Sequence, residues 1–183
     1  MLNKINTALI SVSDKSNLLG ILKVLKKFNI NIISSGGTHD FIRKNGYKCK
    51  EISRYTGFKE MLDGRVKTLH PKIHAGILNK RNDKKHLHDL KKNKFENIDL
   101  VIVNFYPFER TLKKTKNHQK IIENIDVGGP TMVRSAAKNY NDVTVITSPN
   151  QYDELIDELK KNNGSTSIKF REKLSRLAFT LPL

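Results

Sequence analysis

Cysteine is almost missing from these 183 residues: Cys49 stands alone. A single thiol cannot close an internal disulfide, nor can it build the Cys-rich cages of structural zinc. Long apolar runs are missing as well. None approaches the roughly 20 residues that a membrane-crossing helix needs. Residues 1–7 lack the apolar block of a secretory leader. A disulfide-built scaffold and a membrane-spanning helix are thus excluded, and the expected setting is cytoplasmic. Three chemical signatures are also lacking: the Walker A loop, the Gly-x-Ser-x-Gly elbow and the Gly-x-Gly-x-x-Gly fingerprint. Acidic residues are scarce, 18 against 34 Lys and Arg, which leaves a net charge of +16. Such a charge raises nucleic-acid binding. Yet 26 of the 34 cations are Lys and only 8 are Arg, the residue that reads bases bidentately. Lys, Asn and Ile together are what AT-rich codons supply. The surplus reads as a solvated surface whose field would draw in a phosphorylated substrate. No specific nucleic-acid partner and no membrane partner are expected.

What is present is a regular alternation. Hydrophobic residues make up 37% of the chain, in short runs separated by charged ones, the pattern of a globular domain with a real core. Residues 8–12 read as a strand, ending in a loop with the capping types Ser13, Asp14 and Ser16. Leu18, Leu19, Leu22, Leu25 and Phe28 follow at helical spacing. Residues 29–33 are a second strand that runs into Ser34, Ser35, Gly36, Gly37 and Thr38, then into a short helix around Phe41 and Ile42. Residues 47–52 read as a weaker strand. Residues 54–81 have no clean period and are expected to form a long structured loop with short helical pieces. Residues 98–105 are the strongest strand, a nearly continuous apolar run of the kind covered on both faces. Helices are expected over residues 86–92, 120–123, 131–139, 151–161 and 168–179, with a strand at 142–147. Strands alternating with helices predict a three-layer α/β fold with a mainly parallel sheet, in one domain over residues 1–183. Ligands of such sheets gather at the carboxyl ends of the strands.

The loops that follow strands carry the candidate chemistry. Ser35, Gly36, Gly37 and Thr38 open a helix, where free amides, hydroxyls and close backbone approach suit a phosphate. An ordinary turn is the alternative. Ser13, Asp14 and Lys15 are a second such loop, or simply a helix cap. Residues 64–71 gather Arg65, Lys67, Thr68 and His70 where no core period exists. Asn104, Phe105 and Tyr106 end the best strand. Asp126 precedes a glycine pair and a helix that ends on Lys138; a carboxylate and a lysine brought together can transfer protons. His70 and His74 are four apart, but a metal would need a third ligand from His86, His88, His118 or a carboxylate, and no metal site is expected.

Taken in order, the segments at residues 11–15, 35–38, 64–71, 74–78, 104–108, 125–129 and 136–139 resemble one family. It is that of the bifunctional AICAR transformylase/IMP cyclohydrolase, in its N-terminal domain, and the resemblance runs from about Ala8 to Phe179. It implies a methylglyoxal-synthase-like fold. It implies dehydrative closure of the formylated aminoimidazole carboxamide ribonucleotide (FAICAR) to IMP, with no cofactor for that step. It also implies that Ser13, Asp14, Lys15, Ser35, Gly36, Gly37 and Thr38 hold the nucleotide, mostly at its phosphate. Arg65, Lys67, Thr68, Asn104, Asp126, Val127 and Gly128 would reach the substrate. Lys138 matches a proton donor/acceptor, and Lys67 and Tyr106 match groups that polarise the formyl oxygen. The family's larger transformylase domain uses 10-formyltetrahydrofolate. It lies beyond this chain, which is expected to stop within its last helix. A homodimer, or association with a transformylase domain, is the implied assembly. Two other readings use the same fold: a methylglyoxal-synthase-like enzyme, and a nucleotide-sensing domain that needs no catalytic residues.

Overall fold

A strand buried on both faces needs helices above and below it. Leu100–Asn104 (β5) has all five residues buried and lies inside the sheet, with a strand on either side. In the computed structural model, which describes residues 1–105, 117–123 and 125–181, five parallel strands stand in the order β4-β3-β2-β5-β6. The other four are Thr7–Val12 (β2), Asn31–Ser34 (β3), Lys50–Glu51 (β4) and Thr144–Ile146 (β6). β2 pairs with β3 from Thr7 opposite Asn31 to Ile10 opposite Ser34. On its other side β2 pairs with β5 from Ala8 opposite Leu100 to Val12 opposite Asn104. The expected parallel α/β sheet is the one found.

Helices fill the connections. Leu18–Lys27 (α1) joins β2 to β3, and Gly36–Lys44 (α2) leaves β3 directly. Ile52–Thr56 (α3), Pro71–Leu78 (α4) and Lys84–Asn93 (α5) follow β4. His118–Glu123 (α6) and Gly128–Lys138 (α7) lie between β5 and β6, and Tyr152–Lys161 (α8) and Ile168–Phe179 (α9) follow β6. The path β2–α1–β3 steps one way along the sheet, and β5–α7–β6 steps the other. Right-handed crossovers therefore put α1 and α7 on opposite faces. Their contacts agree: α1 packs on α8, whereas α7 packs on β5, β6, α4 and α9. Leu18, Ile21, Leu22 and Leu25 of α1, at helical spacing, are all fully buried. The loop expected over residues 54–81 holds α3 and α4 as its short helices.

Some boundaries differ from the sequence reading. The strand expected over residues 47–52 pairs only through Lys50 and Glu51, opposite Ile33 and Ser34. The helix expected from residue 131 begins at Gly128, because the Asp126 carboxylate accepts a hydrogen bond from the Gly129 amide (3.0 Å). Residues 165–167, between the helices expected at 151–161 and 168–179, form β7 and pair antiparallel with Leu2–Lys4 (β1). Three polar residues give no periodic signal, and the pairing joins opposite ends of the chain.

Arg171 ties this end together. It is completely buried. Its Nε donates to the Tyr140 carbonyl (2.9 Å), Nη2 to the Asn141 carbonyl (3.0 Å) and Nη1 to the Thr166 carbonyl. One guanidinium thus joins α9 to the turn before β6 and to β7. Replacing it by Met takes a donor from three carbonyls, that of Thr166 buried and those of Tyr140 and Asn141 part-buried. A loss of about 2–5 kcal/mol is expected, read as a lower urea midpoint at unchanged slope. An unchanged midpoint would show that Arg171 contributes packing alone.

Candidate functional site

The chain leaves β2 toward one edge of the sheet and β5 toward the other. The point where this direction reverses, between the carboxyl ends of β2 and β5, is where open parallel sheets leave a crevice for ligands. Here one side chain spans it. Asn104 Oδ1 accepts from the amides of Ser13 (2.8 Å) and Asp14 (3.0 Å), and its Nδ2 donates to the Asp14 carbonyl (2.8 Å). The Ser13–Ser16 turn is closed further by the Asp14 carboxylate, which accepts from the Ser16 amide (2.8 Å). Asn104 is buried and its amide group is spent on the backbone. Its place is under the Ser13–Ser16 loop, holding Ser13 and Asp14.

Thr38 behaves in the same way. Its hydroxyl donates to the Val12 carbonyl (2.9 Å) and lies 3.1 Å from the Val12 amide, fastening the first turn of α2 to the end of β2. Ser34 Oγ donates to the Ile10 carbonyl (2.7 Å). Two hydroxyls of the serine-rich loop therefore lock β3 and α2 onto β2. Ser35 is extended and makes no side-chain cap, and Gly36 takes φ +52° to begin α2. That left-handed turn favours glycine. α1 likewise starts without a side-chain cap. α3, α4, α5 and α9 are capped by Glu51, His70, Asp83 and Ser167. Helix starts carry uncompensated N–H groups and the positive end of the macrodipole. α1 and α2 present theirs at the crevice, where Gly37 has open space around it. Lys15 sits at the same loop, its Nζ 3.4 Å from the Ser13 carbonyl.

The segment at residues 57–70 closes over this end. Met61 and Val66 pair across a tight turn in which Leu62, Asp63 and Gly64 all take positive φ. Left-handed backbone at Leu62 and Asp63 costs about 1–2 kcal/mol per residue and concentrates strain where the loop delivers its cations. Lys67 Nζ lies 3.8 Å from where a Cβ on Gly36 would stand. Thr68 Oγ1 lies 2.1 Å from the corresponding point on Gly128, so no side chain fits there. A Cβ on Gly129 would collide with the Asp126 carboxylate and approach Phe105 Cε1 to 2.9 Å. The two glycines let Thr68, Asp126 and Phe105 meet at the start of α7. Arg65 turns outward, and its Nε pairs with Glu123 at 3.2 Å with both side chains exposed. Val127 is exposed at the same start. Tyr106 lies outside the described residues.

Lys138 is not brought to this cluster. It ends the 11-residue α7 and is exposed. A rise of about 1.5 Å per residue puts it about 15 Å along the axis from Gly128. The proton-transfer pair read from Asp126 and Lys138 is therefore not formed within this chain, because the intervening residues are one continuous helix. His70 and His74 do not converge either: His70 Nδ1 caps α4 by accepting from the Lys72 amide (3.1 Å), and His74 Nδ1 faces Ser135 Oγ (3.1 Å). The backbone roles of Asn104 and Thr38 were not legible as sequence, since both types serve ligands and loops alike. A volume of about 1610 Å³ lies along the β4 edge, lined by α2, α3 and solvated charges. Of the expected residues it touches Gly36 alone.

Comparisons agree with this architecture. Residues 17–131 match the MGS-like domain family, and residues 136–182 match the AICARFT/IMPCHase bienzyme family. The chain is 46% identical to the bifunctional purine biosynthesis protein PurH of Bradyrhizobium diazoefficiens, over 96% of this chain and 33% of that protein. It is 49% identical to PurH of Prochlorococcus marinus, over 94% of this chain and 33% of that protein. It thus spans about a third of the length of these curated relatives. The crystal structure of ForH superposes with a TM-score of 0.84 at 30% identity, covering 96% of this chain and 92% of that one.

The Thr68–Gly128 approach is testable without a ligand. Gly128→Ala is expected to lower stability by about 1–3 kcal/mol. Added to Thr68→Ala, which removes the atom that it strikes, it is expected to cost less. A denaturation cycle over the four proteins measures the coupling; simple additivity would contradict the contact.

Proposed function

This chain belongs to the MGS-like domain family, and from that premise we propose that it is an IMP cyclohydrolase, closing FAICAR to IMP. The observation that carries the reading is the span of one loop. Lys67 reaches the uncapped start of α2, while the next residue, Thr68, packs at the start of α7 beside Asp126. A phosphate end and a carboxylate end thus share one crevice, and the substrate supplies its own nucleophile.

The phosphate sits at the starts of α1 and α2, among the amides of residues 13–16 and 35–38, with Lys15 adding charge. The carboxamide nitrogen attacks the formyl carbon and a C–N bond forms. Negative charge grows on the formyl oxygen, where the Lys67 ammonium, with Tyr106 by resemblance, stabilises it. The carboxamide nitrogen gives up one proton in the attack, and the formamido nitrogen gives up another as the oxygen leaves as water. Asp126 is the carboxylate placed to move these protons. Lys138, which the resemblance offers for that task, stands a helix length away. Holding amine and formyl group in contact supplies a large share of the rate. No cofactor takes part in this step.

The wider setting belongs to the same proposal. The longer relatives are named bifunctional. The transformylase reaction, with its 10-formyltetrahydrofolate, is assigned to residues outside this chain, with which it associates, and the assembly is a homodimer. The setting is cytoplasmic; among the described residues no helix is long and apolar enough to cross a membrane.

The test is absorbance of IMP formation from FAICAR by the purified, folded protein. Lys67→Ala is expected to lower kcat by about 10²–10³-fold, and Asp126→Asn by at least about 10²-fold. Lys138→Ala is expected to stay within about 10-fold of the parent, since a group about 15 Å along the helix cannot meet the reacting atoms. Inactivity of the folded parent defeats the reading. A Lys138→Ala loss as large as that of Lys67→Ala defeats the assignment of proton transfer to Asp126.

A further inference from the structure

α4 and α7 lie side by side and run in the same direction, as three contacts in step along them establish. Thr68, just before α4, meets Gly128 at the start of α7. His74 meets Ser135 at 3.1 Å midway. The Asn139 amide after α7 donates to the carbonyls of Ile77 (2.8 Å) and Asn79 (2.9 Å) at the end of α4. The same-direction packing brings the segment with Lys67 and Thr68, at one helix start, beside Asp126, at the other.

The middle contact is a hydrogen bond between two side chains, and the mechanism above does not use it. Ser135 Oγ donates to the Thr131 carbonyl one turn earlier (2.9 Å). A hydroxyl has one proton, so its remaining bond to His74 is one in which Nδ1–H donates to Oγ. This sets the ring as the Nδ1–H tautomer. Among the described residues His74 Nε2 is buried without a hydrogen-bond partner. Burial pulls the imidazole below its ordinary value, with the Thr68 carbonyl opposing. A buried ring held by a directed bond at Nδ1 suits a strut and not a proton carrier.

We propose that His74 is a positioning residue: through Ser135 it sets the axial register of α4 against α7, and hence the spacing of Lys67 and Thr68 from Asp126. The inference rests on the ring-closure reading. The physical reason is tolerance. Ile73 and Ile77 pack without direction, and apolar surfaces allow small sliding. A hydrogen bond weakens steeply within about half an ångström. Misplacement of a reacting group by about 1 Å costs on the order of 10²-fold in rate.

The test compares His74→Leu, His74→Asn, Ser135→Ala and the Leu/Ala double variant in the FAICAR assay, with urea unfolding of each. Asn keeps a donor near the Nδ1 position. The expected result is a 10- to 100-fold fall in kcat for His74→Leu and for Ser135→Ala, with KM within about 3-fold. The double variant is expected to be no worse than the poorer single one, and His74→Asn to recover most of the rate. Where His74→Leu fails to fold, Ser135→Ala and His74→Asn decide alone. Parent-like kcat per folded molecule in Ser135→Ala overturns the inference and leaves the ring-closure reading standing. A folded parent that cannot close FAICAR overturns both.

Discussion

Five consecutive Cα partners join β2 to β5, from Ala8 opposite Leu100 to Val12 opposite Asn104. The next step up is a side chain: the Asn104 amide takes over the pairing where the ladder ends and holds the Ser13–Asp14 backbone. The candidate site hangs from this junction. β2 ends in the first candidate loop, and its last carbonyl and amide anchor Thr38 of the second. β5 is followed by Phe105, which lies against Gly129 and so beside Asp126. A shift of one residue between β2 and β5 would turn every side chain to the opposite face and separate these loops.

The polar residues around the crevice divide by where their hydrogen bonds go. Ser34, Thr38 and Asn104 satisfy backbone groups and build the floor. Lys15, Lys67 and Asp126 extend from that floor as charges, while Arg65 is turned outward to Glu123. α1 and α2 leave their first amides without side-chain caps. This division explains why so positive a protein can keep a defined site: the floor is fixed by neutral hydrogen bonds, whose geometry does not depend on salt. At the opposite ends of the strands Asp99 works similarly, accepting from the amides of Asn6 and Thr7 while pairing with Arg81.

The candidate loops were legible because their signals are local. The loops after β2 and β3, the Lys67–Thr68 segment and the Asp126 turn are each short strings whose types announce polarity, tight turns and helix starts. The central strand was legible because burial on both faces leaves an unbroken apolar run. The β1–β7 pair was not, since strands of three residues, Leu2–Lys4 and Ser165–Ser167, are too short to carry a period. Nor was the duty of Asn104, because an amide reads alike whether it binds a ligand or a loop. Whether Asp126 and Lys138 come together was not legible either: the two bracket one helix, and that helix, being continuous, keeps its ends apart.

By itself, then, the sequence determined the alternation of strands and helices, the parallel sheet, the polar loops that follow its strands and the family to which they belong. These follow from hydrophobic period and from residues acting within a few positions of one another. Tertiary structure alone decided which polar groups are floor and which remain for chemistry, that α4 and α7 run the same way with His74 and Ser135 between them, and that Lys138 stands apart. Those outcomes depend on which strands neighbour which and on which end of a helix meets the crevice. Contacts between residues 60 to 90 positions apart set both, and no local pattern carries that information.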